Sequence, residues 1–314
     1  MDGTTLPSRL PEAITRRLRL PLIAAPMLRV SGTDLVTACC NAGVIGAFPT
    51  VNARTTEQLQ DWVATIKAGL ATDAAPWAAN LIMRNPRVQE DARIVAEAGV
   101  EVVITAVGSP VPVMPLFREA GTLVLADIAT LHHARRAVEA GVDGLILLSA
   151  GAGGQTGWAN PFAFVRAVRA FYDGPIVLSG GLSDGVSLKA AQVLGADLGY
   201  MGTRFIAARE SMADPDYKQM LADCTLDDIQ TTKTFTGLSA NFLRPSILAT
   251  GLTLADLDET MTPDRAAQHY GSGGIERPKR WKDIWAAGHS VSGIDAAPTV
   301  AEIVAQMTAE YAAA

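Results

Sequence analysis

Eight short apolar runs recur along this 314-residue chain, and helical patterns separate most of them. The runs are of strand length and are hydrophobic almost throughout, as strands covered on both faces must be. Alternation of such strands with helices indicates a parallel sheet built of βαβ units. The eight runs cover residues 21–27, 44–50, 77–82, 101–107, 122–128, 144–150, 175–181 and 198–205.

Eight βαβ-type units predict an α/β protein of the closed (β/α)8 type, the TIM barrel. An open doubly wound sheet is the alternative that the pattern leaves. Glycine-containing phrases at 97–100, 139–142 and 194–197 come directly before three of the runs. Each glycine suits the left-handed position that ends a helix just ahead of the next strand. These phrases support a repeated helix–strand unit.

The pattern changes after the eighth run. Residues 209–283 combine helical spacing with polar stretches, and Pro245 interrupts the one clearly apolar run among them. We expect this segment to form a small, mainly helical cap that is inserted after the eighth strand and covers the substrate. The barrel would then comprise residues 1–208 and 284–314, and its last helix would cover residues 298–312.

The composition narrows the range of partners. Hydrophobic residues make up 49% of the chain, charged residues 18%, and the formal net charge is -6. No Lys/Arg cluster is present, so we expect neither nucleic acid nor an anionic membrane as a partner. The three cysteines suggest no disulfide framework, which favours a cytoplasmic location. The oligomeric state stays open, and an oligomer is compatible with the sequence.

Glycine turns end the last two predicted strands. Gly180 and Gly181 follow one strand, Gly202 and Thr203 follow the next, and a helical pattern comes after each pair. In a parallel α/β fold both turns lie at the same rim, where their backbone N–H groups can converge on one anion. In (β/α)8 barrels this position commonly holds a phosphate. The sequence therefore predicts a phosphate-bearing ligand.

Few acid–base groups stand at the predicted strand ends. There is no cluster with metal-ligand spacing, no carboxylate pair and no nucleophile elbow, so a cofactor that brings its own reactivity fits best. Asp127 needs solvent or a partner because it closes an apolar run. His289 lies ahead of the last helix, where it could either reach the phosphate rim or remain on the surface. The remaining strand ends carry Ala25, Pro26, Met27, Asn80 and Ser179.

Several segments together resemble the nitronate monooxygenase family, whose relatives include FMN-dependent enoyl-acyl-carrier-protein reductases. The segments are PLIAAPM, AANLI, AGAGGQTG, PIVLSGGLSDG and ADLGYMGTRFIAARES, and they span most of residues 20–212. The resemblance implies an FMN-binding TIM barrel with a lid. It places the flavin ring near Ala25, Pro26, Met27 and Asn80, the phosphate on Gly180, Gly181, Gly202 and Thr203, and other FMN contacts at Asp127, Gly153 and Ser179.

The chain departs from the family pattern at the loop after the sixth strand. The usual family sequence there is E-A-G-G-H-x-G, whereas this chain has Gly151 at the acidic position and Gln155 at the histidine position. A glutamine side chain donates and accepts hydrogen bonds but takes no proton near neutral pH. We therefore expect Gln155 to orient a substrate, and expect no acid–base role for it. At Gly288-His289 many relatives carry Gly-Gln.

Three functions are compatible with these residues. The first is an FMN-dependent oxidoreductase that oxidises a small anionic nitronate, which needs no strong base. The second is an FMN-dependent dehydrogenase or reductase that acts on a C–C bond next to a carbonyl or CoA thioester. The third is a flavin-binding protein with little turnover. The substrate is a small molecule, with an acyl-CoA as one candidate, and Arg244 and Phe242 of the cap are the predicted substrate contacts.

Overall fold

The computed structural model describes residues 8–271, 278–295 and 297–314. The strands are β1 (Leu22–Ala24), β2 (Ile45–Pro49), β3 (Trp77–Ile82), β4 (Val102–Ala106), β5 (Leu123–Ile128), β6 (Gly144–Leu148), β7 (Gly154–Gln155), β8 (Ile176–Ser179), β9 (Leu198–Met201), β10 (Ile229–Thr232) and β11 (Ala240–Leu243). Residues 1–7, residues 272–277 within the expected cap segment, and residue 296 lie outside the described residues.

Eight of these strands close into a barrel. Its order is β1-β2-β3-β4-β5-β6-β8-β9, and every neighbouring pair is parallel. Closure comes from β1, which pairs with β2 through Ile23 and Ile45 and with β9 through Leu22 and Gly199. The TIM barrel is therefore confirmed, and the open doubly wound sheet is wrong because no barrel strand has a free edge.

Helices follow the strands on the outside of the barrel. Gly195 ends one of them in the left-handed conformation that the sequence predicts, with φ of 113°. The helices are α1 (Glu12–Thr15), α2 (Thr33–Asn41), α3 (Thr56–Gly69), α4 (Val88–Glu97), α5 (Met114–Ala120), α6 (Leu131–Glu139), α7 (Pro161–Arg169), α8 (Gly185–Leu194), α9 (Thr203–Ile206), α10 (Pro215–Asp223), α11 (Arg244–Ala249), α12 (Pro263–Tyr270) and α13 (Val300–Ala313). None of the described helices combines the length and the apolar character that crossing a bilayer requires.

Apolar side chains fill both sides of the barrel wall. Ile23, Ile104, Ile146 and Val177 belong to a buried cluster formed mainly by barrel strands, as in-pointing residues of such a barrel do. A larger cluster packs the strands against the surrounding helices. Helix α13 returns to this layer and packs on α8, where a Cβ atom at Gly185 would lie only 2.2 Å from the Met307 carbonyl oxygen. Helix α13 thus packs on the helical layer of the barrel, and the assignment of residues 284–314 to the barrel stays a prediction.

The cap contains a small sheet as well as helices. Strands β10, β11 and β7 form it in that order, and the cap supplies β10 and β11 together with α10, α11 and α12. Strand β7 belongs to the barrel loop after β6, and it pairs with β11 through Gln155 and Ala240. This sheet, which the sequence did not predict, attaches the cap to the barrel. The proposed cap boundaries at 209 and 283 stay a prediction.

Candidate functional site

One large cavity of about 1050 Å³ opens at the carboxyl ends of the barrel strands, under the cap. This is the end of the barrel at which (β/α)8 active sites lie. Twelve of the residues predicted from the sequence line it: Ala25, Pro26, Met27, Asn80, Asp127, Gly153, Gln155, Ser179, Gly180, Gly181, Gly202 and Thr203.

The two glycine turns present free backbone donors to this cavity. No acceptor among the described residues takes the backbone N–H groups of Gly180, Gly181, Gly202 or Thr203. Gly180 and Gly181 have φ of 112° and 76°, a conformation that glycine adopts at little cost. A Cβ atom at Gly181 would meet nothing within 4 Å. The turns therefore form an open cradle of donors, which suits an anion such as a phosphate.

Partly buried hydrogen bonds hold the segment after β1 in place. The Ser31 hydroxyl accepts a hydrogen bond from the Met27 N–H at 3.0 Å, and the Asn52 side-chain amide donates to the Met27 carbonyl oxygen at 2.9 Å. The Ala25 N–H donates to the Met201 carbonyl oxygen at 2.8 Å. Sequence reasoning found the 25–27 segment but missed Ser31 and Asn52, because both act from positions outside the strand ends.

Asn80 lies on β3 and Asp127 lies on β5. Neither strand is adjacent to β8 or β9, which the glycine turns follow. The Asn80 side-chain nitrogen donates to the Ile104 carbonyl oxygen at 3.2 Å, so its amide oxygen stays available to a ligand. The Asp127 side chain is half-buried, and its Oδ1 is enclosed with no hydrogen-bond partner among the described residues. Asp127 is thus a carboxyl group that the protein itself leaves unpaired in the cavity wall.

Desolvation sets the protonation of the Asp127 carboxyl. Burial raises its pKa to about 7, far above that of an ordinary aspartate, because the charged form loses its water. Tyr200 of β9 also lines the cavity, and burial together with the nearby Asp127 raises the pKa of its phenol well above its usual value. Sequence reasoning missed Tyr200, which reads as one more apolar residue of a buried strand.

Gln155 lies where the barrel meets the cap. It is half-buried in β7, and it lines the cavity. The loop around it has little freedom, since a Cβ atom at Gly157 would lie 1.9 Å from the Leu148 carbonyl oxygen. From the cap, the Asn241 side-chain nitrogen donates to the Ala152 carbonyl oxygen at 2.8 Å. The backbone therefore holds Gln155 at a defined place in the cavity wall.

Three predicted site residues are not brought to the cavity. His289 is exposed, and its backbone N–H donates to the Gly151 carbonyl oxygen at 2.9 Å. Phe242 is fully buried in the apolar cluster of the cap. The Arg244 side chain donates to Asp228 at 2.8 Å, which neutralises its charge locally. None of the three lines the cavity, and their roles as ligand contacts stay predictions.

Other cap residues line the cavity, whereas Phe242 and Arg244 do not. Arg280 and Trp281 follow the glycine- and charge-rich loop of the cap, and sequence reasoning did not select them because that loop carries no pattern. Their position depends on the backbone, which turns at Trp281 with φ of 66°. The cap residues that line the cavity are Tyr217, Thr236, Leu238, Pro263, Arg280 and Trp281, and Trp285 lines it from just beyond the cap.

Comparison with known proteins agrees with this arrangement. The family model described as nitronate monooxygenase matches residues 13–310. The chain belongs to the nitronate monooxygenase family. Its members are flavin-dependent oxidoreductases, and the resemblance noted in the sequence is thereby confirmed. The nitronate monooxygenase of Pseudomonas aeruginosa is 27% identical over 282 residues, which cover 74% of this chain and 79% of that protein.

Two further relatives of this family member differ in their printed functions. A (3aS,4S,5R,7aS)-5-hydroxy-7a-methyl-1-oxo-octahydro-1H-indene-4-carboxyl-CoA dehydrogenase of Mycobacterium tuberculosis is 27% identical over 231 residues, which cover 73% of this chain and 64% of that enzyme. The chain thus spans less than two thirds of that relative's length. The solved structure of FabK from Thermotoga maritima is 25% identical with a TM-score of 0.81, covering 98% of this chain and 97% of FabK.

Proposed function

We propose that this protein is an FMN-dependent oxidoreductase that oxidises a small anionic substrate, with a nitronate as the first candidate. The observation that carries the proposal is the set of four backbone N–H groups at the glycine turns, which have no acceptor among the described residues. A single anion cradle suits the one terminal phosphate of FMN, and the chain has no G-x-G-x-x-G dinucleotide unit. Family membership supports a flavin.

The residues present fit FMN at both ends. Gly180, Gly181, Gly202 and Thr203 would hold the phosphate, and the 25–27 segment with Asn80 would hold the ring. When bound, FMN supplies a two-electron acceptor. The cavity of about 1050 Å³ lies at the upper end of the roughly 300–1,000 Å³ range of small-molecule sites, and we propose that a second ligand shares it with FMN. That second ligand is the proposed substrate.

Gln155 would orient the substrate by hydrogen bonding. Its amide nitrogen can donate to a nitro oxygen and its amide oxygen can accept from a hydroxyl, without any change of protonation. A nitronate is already deprotonated at carbon, so its oxidation requires no base at the position where the family has histidine. The cap covers the cavity and excludes water, which protects reactive species formed there.

A second candidate function is favoured by Asp127. Oxidation of a C–C bond next to a CoA thioester requires removal of a proton from the carbon beside the carbonyl. The next carbon would give up a hydride, with its two electrons, to the bound FMN. A carboxyl with a pKa of about 7 is suited to accept that proton near neutral pH. The relative from Mycobacterium tuberculosis is a carboxyl-CoA dehydrogenase by name. The third alternative is flavin binding with little turnover.

One substrate comparison separates these candidates. The flavin-loaded protein would be mixed anaerobically with propane-2-nitronate, neutral 2-nitropropane or a saturated acyl-CoA, and flavin reduction would be followed by absorbance, with oxygen consumption measured in air. Nitronate oxidation without reaction of the neutral nitroalkane supports the first candidate. Bleaching by an acyl-CoA supports the second. A protein that binds FMN and reacts with neither substrate class leaves only the third.

A further inference from the structure

One cation of the cap lines the cavity and has no anionic partner among the described residues. Arg280 of the cap lines the cavity and is half-buried. Among the described residues it takes part in no ion pair, whereas Arg244 and Arg265 of the same cap are paired with Asp228 and Asp258. Burial lowers the pKa of the Arg280 guanidinium. The cap therefore keeps one of its charges unbalanced at the cavity.

The hydrogen-bonding capacity of Arg280 is mostly unused. A guanidinium has five N–H donors. One protein acceptor is found among the described residues, the Phe235 carbonyl oxygen, at 3.3 Å from Nη1. Partial burial of a cation without an anionic partner costs free energy. An oxyanion supplied by a ligand would meet these free donors in the planar, forked geometry that guanidinium offers to such groups.

The backbone holds Arg280 and Trp281 in place before any ligand arrives. The Arg280 N–H donates to the Tyr270 carbonyl oxygen at 3.1 Å, and the Trp281 N–H donates to the Ile284 carbonyl oxygen at 3.2 Å. Trp281 has φ of 66°, which is rare for a residue other than glycine. Strained backbone of this kind is held by its surroundings and is found preferentially at functional sites.

Trp281 gives the site an apolar wall close to Gln155. Its ring packs against Phe242 with a centroid distance of 5.5 Å. On the other side it stands over β7, because a Cβ atom at Gly154 would lie 3.5 Å from the ring. Gln155 is the next residue of that strand. Leu238 and Pro263 add further apolar surface to the same side of the cavity.

We propose that Arg280 and Trp281 form a subsite in the cap that binds an amphipathic organic anion. The guanidinium takes the oxygens of a carboxylate, nitronate or phosphate group, and Trp281 with Leu238 covers the apolar body. The inference rests on the proposed function in one respect, because it takes this anion to be the substrate of the oxidoreductase. It makes Arg280 the residue of the cap that determines which substrates are accepted.

Isothermal titration calorimetry on the FMN-loaded protein tests the subsite without requiring turnover. The probes are octanoate, its neutral counterpart 1-octanol, and coenzyme A. In Arg280→Ala we expect the dissociation constant for octanoate to rise by about tenfold or more, with an intermediate value in Arg280→Lys, because lysine keeps the charge and loses the fork. The constant for 1-octanol should stay within about twofold of wild type.

The matched control is Arg265→Ala. This arginine lies on α12 of the cap, is paired with Asp258 at 3.3 Å and does not line the cavity. The Arg265→Ala variant should leave the dissociation constants for octanoate, 1-octanol and coenzyme A unchanged. An Arg280-dependent loss of coenzyme A binding with octanoate unaffected assigns the oxyanion to a phosphate, and the reverse assigns it to a carboxylate. The proposal is overturned if wild type and Arg280→Ala bind octanoate equally and bind coenzyme A equally. It is also overturned if wild type binds neither octanoate nor coenzyme A.

Failure of the subsite and failure of the proposed function give different results. If octanoate binds through Arg280 but neither nitronates nor acyl-CoA are oxidised, the proposed function is wrong and the subsite stands. If a substrate is oxidised with the same KM by wild type and Arg280→Ala, the function stands and the subsite is wrong. Flavin content and the melting temperature of Arg280→Ala, measured beside Arg280→Lys, show whether either variant is folded.

Discussion

The barrel rim and the cap enclose the same cavity with different kinds of group. The rim contributes small residues and free backbone N–H groups, chiefly at Gly181 and Thr203. The cap contributes large side chains, above all Arg280 and Trp281. Backbone donors at strand ends are rigid and independent of side-chain identity, which suits a cofactor that never changes. Side chains on loops over a rigid scaffold can vary, which suits the choice of substrate.

The largest effect is expected at the rim. Gly181→Asp places a carboxylate beside the donor cradle, and its charge opposes a bound phosphate. We expect the protein to lose its flavin, with affinity for FMN reduced by more than about a hundredfold, as two or more charge-assisted contacts would be lost. Flavin fluorescence during titration measures this affinity.

Two controls separate charge from backbone strain in that experiment. Gly181→Asn adds a neutral side chain of similar size that tolerates positive φ, so it should bind FMN better than Gly181→Asp. Gly251→Asp adds the same charge at φ of 83° in a cap turn with open space around it, and should bind FMN as wild type does. Normal FMN affinity in Gly181→Asp would show that the phosphate does not bind at this rim.

A pH-dependent effect on stability is expected at Asp127. Its carboxyl has a pKa of about 7 in the folded protein and about 3.9 when unfolded. At a pH between these two pKa values, the folded protein binds more protons at Asp127 than the unfolded protein does. The free energy of unfolding therefore falls as pH rises from about 4 to about 7. The difference between the two pKa values corresponds to about 4 kcal/mol in the free energy of unfolding. Asp127→Asn removes this dependence on pH.

Denaturant unfolding of flavin-free protein at pH 5 and at pH 8 measures this difference. Asp127→Asn should gain stability over wild type on going from pH 5 to pH 8, since only wild type carries the buried carboxylate at the higher pH. A stability difference that is the same at both values would mean that Asp127 titrates as an ordinary aspartate.

The junction of rim and cap should show a smaller effect on turnover. Gln155→Ala removes one positioned hydrogen-bonding group, and we expect turnover to fall by about 10- to 100-fold with FMN still bound. Steady-state rates across pH measure it, and wild type should show no pKa near 6.5 from this position because an amide does not titrate. Gln155→His should introduce such a dependence. Unchanged turnover in Gln155→Ala would place the substrate elsewhere.

The smallest effect is expected from a cap arginine that already has a partner. Arg244 is bonded to Asp228 and to the Asp227 carbonyl oxygen at 2.9 Å. Arg244→Ala should lower stability by about 0.2–1 kcal/mol, and the KM should stay within about twofold of wild type. Comparison with Arg280→Ala is the sharpest test of the contrast within the cap. A KM increase in Arg244→Ala as large as in Arg280→Ala would erase that contrast.

The sequence predicts the rim well because local chemistry specifies it. Buried parallel strands must be apolar, and Gly180 and Gly181 adopt backbone angles that other residues avoid. The cap is predicted poorly because its roles depend on distant partners. Nothing local shows that β7, with two residues, pairs with β11, or that Arg244 meets Asp228 while Arg280 meets no carboxylate among the described residues. The burial of Phe242 in the apolar cluster of the cap likewise depends on neighbours that are distant in the sequence.

The central claim is that the glycine turns hold the phosphate of FMN. The most direct measurement is a pair of equilibrium titrations of flavin-free protein, one with FMN and one with riboflavin, which lacks the phosphate. We expect FMN to bind with one site per chain and at least about a hundredfold more tightly than riboflavin, and Gly181→Asp to abolish this preference. Equal affinity for FMN and riboflavin, or no binding of FMN, would contradict it.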